Sequence, residues 1–253
     1  MRNKFNDNEV LSASDDITQN KSYAIPLSVV VFGMIIAGAL IYGANGPSPK
    51  NTAGDSSSFS SAKTTEQAID ARKIKSENRP FIGNPDAPVT IAYWYDYQCP
   101  FCKRFEELTM PLLVENYILT NKVKIVFKNF QFLGQDSQIA GLAGLAVWQV
   151  APEKFYNWHK KMYAYQDSEN SGWGSKTDIL KLAEGMEIDA SKTDALMTEK
   201  NFAYQKILAD DFEEGKAIGI TGTPSSIIDK RLLIGARPYS EYKEIIDAAL
   251  NTY

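Results

Sequence analysis

The sequence predicts an α/β domain whose sheet is interrupted by a long helical block. Three observations carry this expectation. Strand-like apolar runs occur at Val89 to Tyr95 and Val123 to Phe130, helical periodicity fills most of the stretch from Ser137 to Ile218, and strand signals resume only at Ser225. The order strand, helix, strand, helical block, hairpin, helix describes a layered sheet with an insertion at about 134–218.

The chain begins with a short tail, 1–23, that carries Asp7, Glu9, Asp15 and Asp16. Ala24 to Ala44 then forms an uncharged, mostly apolar run of about 21 residues, roughly 31 Å long as a helix, which matches a bilayer core. A cleaved signal peptide fits less well, because the preceding tail is long and acidic and Tyr42-Gly43-Ala44 is a poor cleavage site. The expectation is one uncleaved transmembrane helix at 24–44, with the tail cytoplasmic and the rest outside. Arg2, Lys4 and Lys21 before the span against Lys50 and Lys63 after it give only a small positive-inside bias. From 45 to 71 the chain is rich in Ser, Gly, Pro and Thr without periodicity, and reads as a disordered tether with a reach of roughly 28 Å. Residues 72–253 are enough for one domain with a substantial core. A net charge of −4 with no basic stripe gives no sign of a nucleic-acid partner.

The chain has two cysteines, both in Cys99-Pro100-Phe101-Cys102. The motif follows the strand Val89 to Tyr95 and opens an apolar-periodic segment, Lys103 to Tyr117. With Cys99 as N-cap, Pro100 falls at the first helical position, where its fixed φ helps and its missing N–H costs nothing. The Cys99 sulfur then meets the unpaired N–H groups and the positive dipole end of the helix, which favour thiolate. Cys102, three residues on, lies on the same helix face and can close a disulfide on Cys99. Zinc would need four ligands, and the only other soft candidate is the single histidine, His159. An inert disulfide across so small a ring would constrain little chain. The pattern points to redox chemistry without metal or organic cofactor, and stable disulfide chemistry belongs outside the cytosol.

After the strand Val123 to Phe130, helices are expected at Ser137 to Val150, Pro152 to Tyr165, Lys176 to Met186 and Ser191 to Ile218. Ser225 to Asp229 and Arg231 to Ile234 form a hairpin, and Tyr239 to about Leu250 a closing helix. His159 falls within a helix of the insertion and reads as a packed or exposed residue rather than a catalytic base. Asp167 to Asp178 departs from a calcium loop at two positions, Gly174 and Asp178, and reads as a plain connection. Gly222 and Pro224 break the helical block, and Thr223-Pro224 leads into a strand.

From about Pro80 onward the chain resembles the DsbA-like thiol-disulfide oxidoreductases, which have a thioredoxin-like fold. The resemblance rests on Gly83-Asn-Pro-Asp-Ala-Pro-Val-Thr-Ile91, on Asp96-Tyr-Gln-Cys-Pro-Phe-Cys102 and on Gly222-Thr-Pro224, in that order with a helical region between. It covers neither tether nor apolar run. It implies that Cys99 is an exposed nucleophile, Cys102 its resolving partner, Pro100-Phe101 the active-site dipeptide, and Pro224 a cis-proline preceded by Thr223. The Thr223-Pro224 loop would then offer main-chain groups to extended, unfolded polypeptides carrying thiols. The resemblance also implies a membrane redox partner, a quinone-linked oxidase, that recycles the cysteine pair. Phe101 replaces the histidine of the best-known oxidases of the family, and a phenyl ring cannot donate to a thiolate. Cys99 is therefore expected to be less acidic than theirs and its disulfide less oxidising. Tyr93 stands where thioredoxin-like proteins often keep a buried acid, and Asp96 reads as a turn residue accepting backbone hydrogen bonds. The main expectation is disulfide formation by a membrane-anchored enzyme. Reductase or isomerase activity by the same pair stays open, as does a non-catalytic tethered peptide-binding module.

Overall fold

The computed structural model describes residues 70–169 and 171–252. The expected transmembrane helix at Ala24 to Ala44 and nearly all of the expected tether lie outside these residues. Among the described residues no helix is long and apolar enough to cross a membrane. Asp70 and Ala71, the end of the expected tether, are already folded: Asp70 caps a short 3-10 turn, and the buried Ala71 donates its N–H to the Asp229 carbonyl.

Among the described residues, five strands form one mixed sheet in the order β1-β3-β2-β4-β5. They are β1 (Phe81–Ile82), β2 (Val89–Tyr95), β3 (Val123–Asn129), β4 (Ser225–Ile228) and β5 (Arg231–Ile234). The pair β2 and β3 is parallel, and every other pairing is antiparallel. β2 is buried along its whole length, which explains why it reads as a continuous apolar run rather than an alternating one. Alternation still sorts its side chains. Val89, Ile91, Tyr93 and Tyr95 enter the large core, while Ala92 and Trp94 enter a smaller one with Ala71, Ile74, Phe130, Ile220 and Ile227.

Among the described residues there are eight α-helices, in chain order α1 (Pro100–Leu108), α2 (Met110–Leu113), α3 (Gln135–Val150), α4 (Phe155–Ala164), α5 (Lys176–Gly185), α6 (Ala190–Glu199), α7 (Asn201–Ala217) and α8 (Tyr239–Leu250). Two differ from expectation. The single helix expected from Lys103 to Tyr117 is broken at Thr109, two residues before Pro111, because proline cannot supply the N–H that continues the ladder. The Thr109 hydroxyl donates to the Arg237 carbonyl at 3.1 Å and ties this break to the loop before α8. The stretch Ser191 to Ile218 is two helices divided at Lys200, which lets α6 pack on α3 while α7 lies along β3. No glycine or proline marks that break. At Gly215 on α7 an added Cβ would sit 2.9 Å from the Trp94 indole nitrogen, so glycine permits the close approach of helix to sheet.

A buried ion network closes the smaller core. Asp211 of α7 receives Arg79 at 2.9 Å, the Asn129 backbone N–H at 3.0 Å and the fully buried Lys128 ammonium. Lys128 also donates to the Lys75 carbonyl and pairs with Glu214, both at 2.8 Å.

Candidate active site

Cys99 occupies the N-cap of α1 with extended backbone, and Pro100 the first helical position. The Cys99 carbonyl accepts the N–H groups of Cys102 and Lys103, at 3.1 and 3.2 Å, and its own N–H donates to the Asp96 carbonyl at 3.2 Å. Asp96 holds the turn. One carboxylate oxygen accepts from the Gln98 N–H at 2.8 Å and the Ser137 hydroxyl at 2.7 Å, and the other from the N–H groups of Phe132 and Leu133 at 2.8 and 3.1 Å. This is the backbone-accepting turn residue expected from the sequence. Burial pushes its carboxyl above the usual range despite those four donors.

β4 brings the second half of the site. Ser225 lies opposite Trp94 in the β2–β4 register, so the residues before Ser225 emerge beside the loop that leads from β2 to Cys99. The Thr223–Pro224 bond is cis, and the Cys99 thiol donates to the Thr223 carbonyl at 3.3 Å. The loop is fixed from behind: the Pro224 carbonyl accepts the Gly235 N–H at 2.7 Å, and the Ser225 hydroxyl donates to the Gly222 carbonyl, also at 2.7 Å. The structure thus brings Cys99 against Thr223-Pro224, as the resemblance implies, but exposure differs from expectation. Cys99 keeps only 4% of its surface accessible, whereas Phe101 is 55% exposed and lies under the Arg104 guanidinium at 5.3 Å. The cis-proline loop covers the sulfur, and the dipeptide ring takes the exposed position.

The two thiols, both free, are strongly different. A hydrogen bond from the Cys102 thiol is the largest influence on Cys99 and lowers its pKa to about 6 against the opposing effect of burial. The Thr223 side chain and the Cys102 and Phe101 N–H groups at the helix start lower it further. Cys102 is fully buried, and burial together with its donation to Cys99 pushes its thiol well above the ordinary range. One sulfur favours the thiolate near neutral pH, and the other favours the thiol.

Two contributors were missed in the sequence. Gln166 donates its amide to the Tyr97 carbonyl at 2.6 Å and the Cys99 carbonyl at 3.2 Å, fastening the end of α4 to the site. Nothing local marks it. Glu106 is buried one turn beyond Cys102 and pairs with His159. A signal existed here, since an acid four residues after Cys102 falls on the same helix face. Of the two placements open for His159, packed or exposed, the structure shows the packed one, with Glu106 and Tyr97 as partners. Between Asp167 and Asp178 the loop is closed on itself, with Asp167 accepting the Trp173 N–H at 3.0 Å and Asp178 the Ser175 hydroxyl at 2.6 Å.

A cysteine pair at a helix start, facing a cis-proline loop on a mixed sheet that carries a helical insertion, defines a thiol-disulfide oxidoreductase of the DsbA-like class. The thioredoxin family model matches residues 75–248, and the chain belongs to that family. It is 29% identical over 191 residues to disulfide bond formation protein D of Bacillus subtilis, covering 74% of this chain and 84% of that protein. Among solved structures it resembles oxidised BdbD from Bacillus subtilis, with 28% identity and a TM-score of 0.64 over 70% of this chain and 95% of that one. The catalytic domain of Proteus mirabilis ScsC is also similar, at 26% identity and a TM-score of 0.58 over 74% and 98% of the two chains.

Proposed function

We propose that the protein forms disulfides in unfolded polypeptides outside the cytosol, through exchange at Cys99 and Cys102, while anchored to the membrane by Ala24 to Ala44. The observation that carries the exchange is the contrast between the two sulfurs: Cys99 titrates at about 6 at a helix start, and Cys102 below it stays a thiol. In the forward direction a substrate thiolate attacks the Cys99 sulfur of the Cys99–Cys102 disulfide, and Cys102 leaves. A second substrate thiolate then attacks the substrate sulfur of this mixed disulfide. That releases the product disulfide and leaves both enzyme cysteines reduced. The low pKa of Cys99 makes it the better leaving group in that second step. Thr223 and Pro224 would hold the substrate in extended form beside the sulfur through main-chain groups. A membrane redox partner would reoxidise the pair, and the apolar run and the tether, 45–71, would keep enzyme and partner in one plane at raised effective concentration.

The disulfide-forming direction is supported by the names of similar proteins. Reduction or isomerisation by the same pair is favoured by one observation, the Phe101 ring, which offers no hydrogen bond to the thiolate. The reduction potential of the full-length chain, equilibrated against glutathione and read by trapping thiols, separates the two. A value above roughly −150 mV supports disulfide formation and one below about −230 mV supports reduction. A non-catalytic peptide-binding module predicts that Cys99→Ser keeps full function, whereas exchange requires complete loss of turnover. Flotation of the full-length chain with liposomes, set against a chain lacking residues 24–44, tests the anchor.

A further inference from the structure

Two aromatic rings lie stacked at the surface of the helical insertion. Tyr165, at the end of α4, is 55% exposed, and its ring packs on that of Trp173 with centroids 5.9 Å apart and planes 17° from parallel. Both rings line a cavity of about 360 Å³, together with Leu182 and Met186 from the end of α5. A space of that size, lined by aromatic and apolar side chains with a few polar groups, has the character of a binding pocket.

The cavity is tied to the cysteine pair. Gln166, next after Tyr165, donates its amide to the carbonyls of Tyr97 and Cys99, and its own carbonyl accepts the Lys103 ammonium at 3.1 Å. Gly174, next after Trp173, lies so near Gln98 that an added Cβ would sit 2.9 Å from its amide nitrogen. The Asp167 carboxylate accepts the Trp173 N–H at 3.0 Å and fixes the turn between the two rings. Each ring is therefore one residue away from a group that touches the loop carrying Cys99. The Thr223 carbonyl meets Cys99 from β4, and this pocket adjoins the same cysteine from the insertion.

Charge selects the occupant. Lys161 and Lys181 also line the cavity, and among the described residues neither has a carboxylate within ion-pair distance. Asp178 is the one acid lining it among those residues, and it already accepts the Ser175 hydroxyl at 2.6 Å. In a chain of net charge −4 this is a local excess of positive charge. Stacked rings offer a planar apolar face, and two unmatched ammonium groups beside it favour a ring accompanied by negative charge.

We infer that the Tyr165–Trp173 pocket is a second holding point for polypeptide substrates, taking an aromatic residue with an acidic neighbour close in sequence to the reacting cysteine. The inference rests on the exchange proposed above and adds a sequence preference to it. Main-chain pairing at Thr223 and Pro224 holds any extended chain alike, whereas a side-chain pocket discriminates. The pocket acts by binding and positioning, so it raises the rate of attack on the Cys99 sulfur and leaves the bond changes of exchange as they are.

The test mixes the oxidised full-length chain with short reduced peptides of one cysteine each, which differ only in two neighbouring residues: Trp-Glu, Trp-Lys or Ala-Ala. Loss of peptide thiol gives a second-order rate constant, taken relative to the same peptide's rate with oxidised glutathione so that intrinsic thiol reactivity cancels. The Trp-Glu peptide is expected to react about tenfold faster than the Ala-Ala peptide, the size of one good aromatic contact, and about threefold faster than the Trp-Lys peptide. Gly185 ends α5, and a Cβ added there would meet nothing within 4 Å, so Gly185→Leu extends a side chain into open cavity. It should bring the Trp-Glu and Ala-Ala rates together, whereas a structural effect on the site would lower both and keep their ratio. Should Gly185→Leu not fold, the double substitution Lys161→Glu and Lys181→Glu decides: the preference should turn from Trp-Glu to Trp-Lys. Equal rates for the three peptides in the wild type, a ratio kept in Gly185→Leu, or a preference unturned in the lysine variant overturns the inference alone. Saturable binding of free indole-3-acetate without any preference among the peptides marks a small-molecule site and also overturns it. No thiol loss with any peptide overturns the exchange itself, and the inference with it.

Discussion

The Cys99 sulfur lies 3.3 Å from the Thr223 carbonyl, a contact between residues 124 positions apart. It follows from the register that sets Ser225 opposite Trp94. A slip of one residue would turn the β4 side chains to the wrong faces and carry Thr223 away from the sulfur. The site is thus assembled by strand pairing, and its chemistry by the donors that converge on Cys99.

Alkylation of Cys99 in the reduced chain should follow a pH midpoint near about 6. The Cys102 thiol is the largest contributor, so Cys102→Ala should move the midpoint up by about one unit, as expected for losing one hydrogen bond to a charged group. Thr223→Val should produce a smaller rise. Thiolate absorbance against pH measures both, and an unmoved midpoint in Cys102→Ala would contradict the assignment.

The reduced protein should gain stability as pH rises from about 6 toward 9. Cys99 has a folded pKa of about 6 against an ordinary value of 9.0, so its contribution is complete above 9 and is lost as pH falls through 6. Cys102 is shifted upward and acts with the opposite sign, but only as pH climbs past its ordinary value. Denaturant unfolding at several pH values should show this gain in the reduced wild type and not in a reduced Cys99→Ala variant.

Asp96→Asn should destabilise the fold by about 3 kcal/mol, because an amide nitrogen would face N–H donors that the carboxylate now accepts. The loss should appear as a lower denaturant midpoint. It should be accompanied by faster alkylation of Cys102, since the turn that seats α1 loosens.

Lys128→Met should cost about 3 kcal/mol by leaving Asp211 and Glu214 short of a buried cation, although Arg79 still reaches Asp211. The Cys99 midpoint should not move, because this network lies on the sheet face away from α1. Urea unfolding together with the thiolate titration checks both halves.

Much of this was legible from local pattern. β2, β3, the hairpin strands and α8 fall where period and turn residues put them, and α8 spans Tyr239–Leu250 as expected. The thiol pair, its N-cap geometry and Pro100 at the first helical position are consequences of four adjacent residues. β1 escaped notice because two residues carry no periodicity. The break at Lys200 escaped because no proline or glycine announces it, and packing on α3 and β3 imposes the change of direction.

The sequence by itself determined most of the elements and the chemistry of the motif, since capping, periodicity and a cysteine at a helix start act within a few residues. Tertiary structure alone decided that Thr223 covers the Cys99 sulfur and that Phe101 faces solvent. It also joined Glu106 to His159 and drew Arg79, Lys128 and Asp211 into one buried network. These depend on strand register and helix packing between distant segments, where a small set of burial and pairing energies selects one arrangement among many that the same local signals allow.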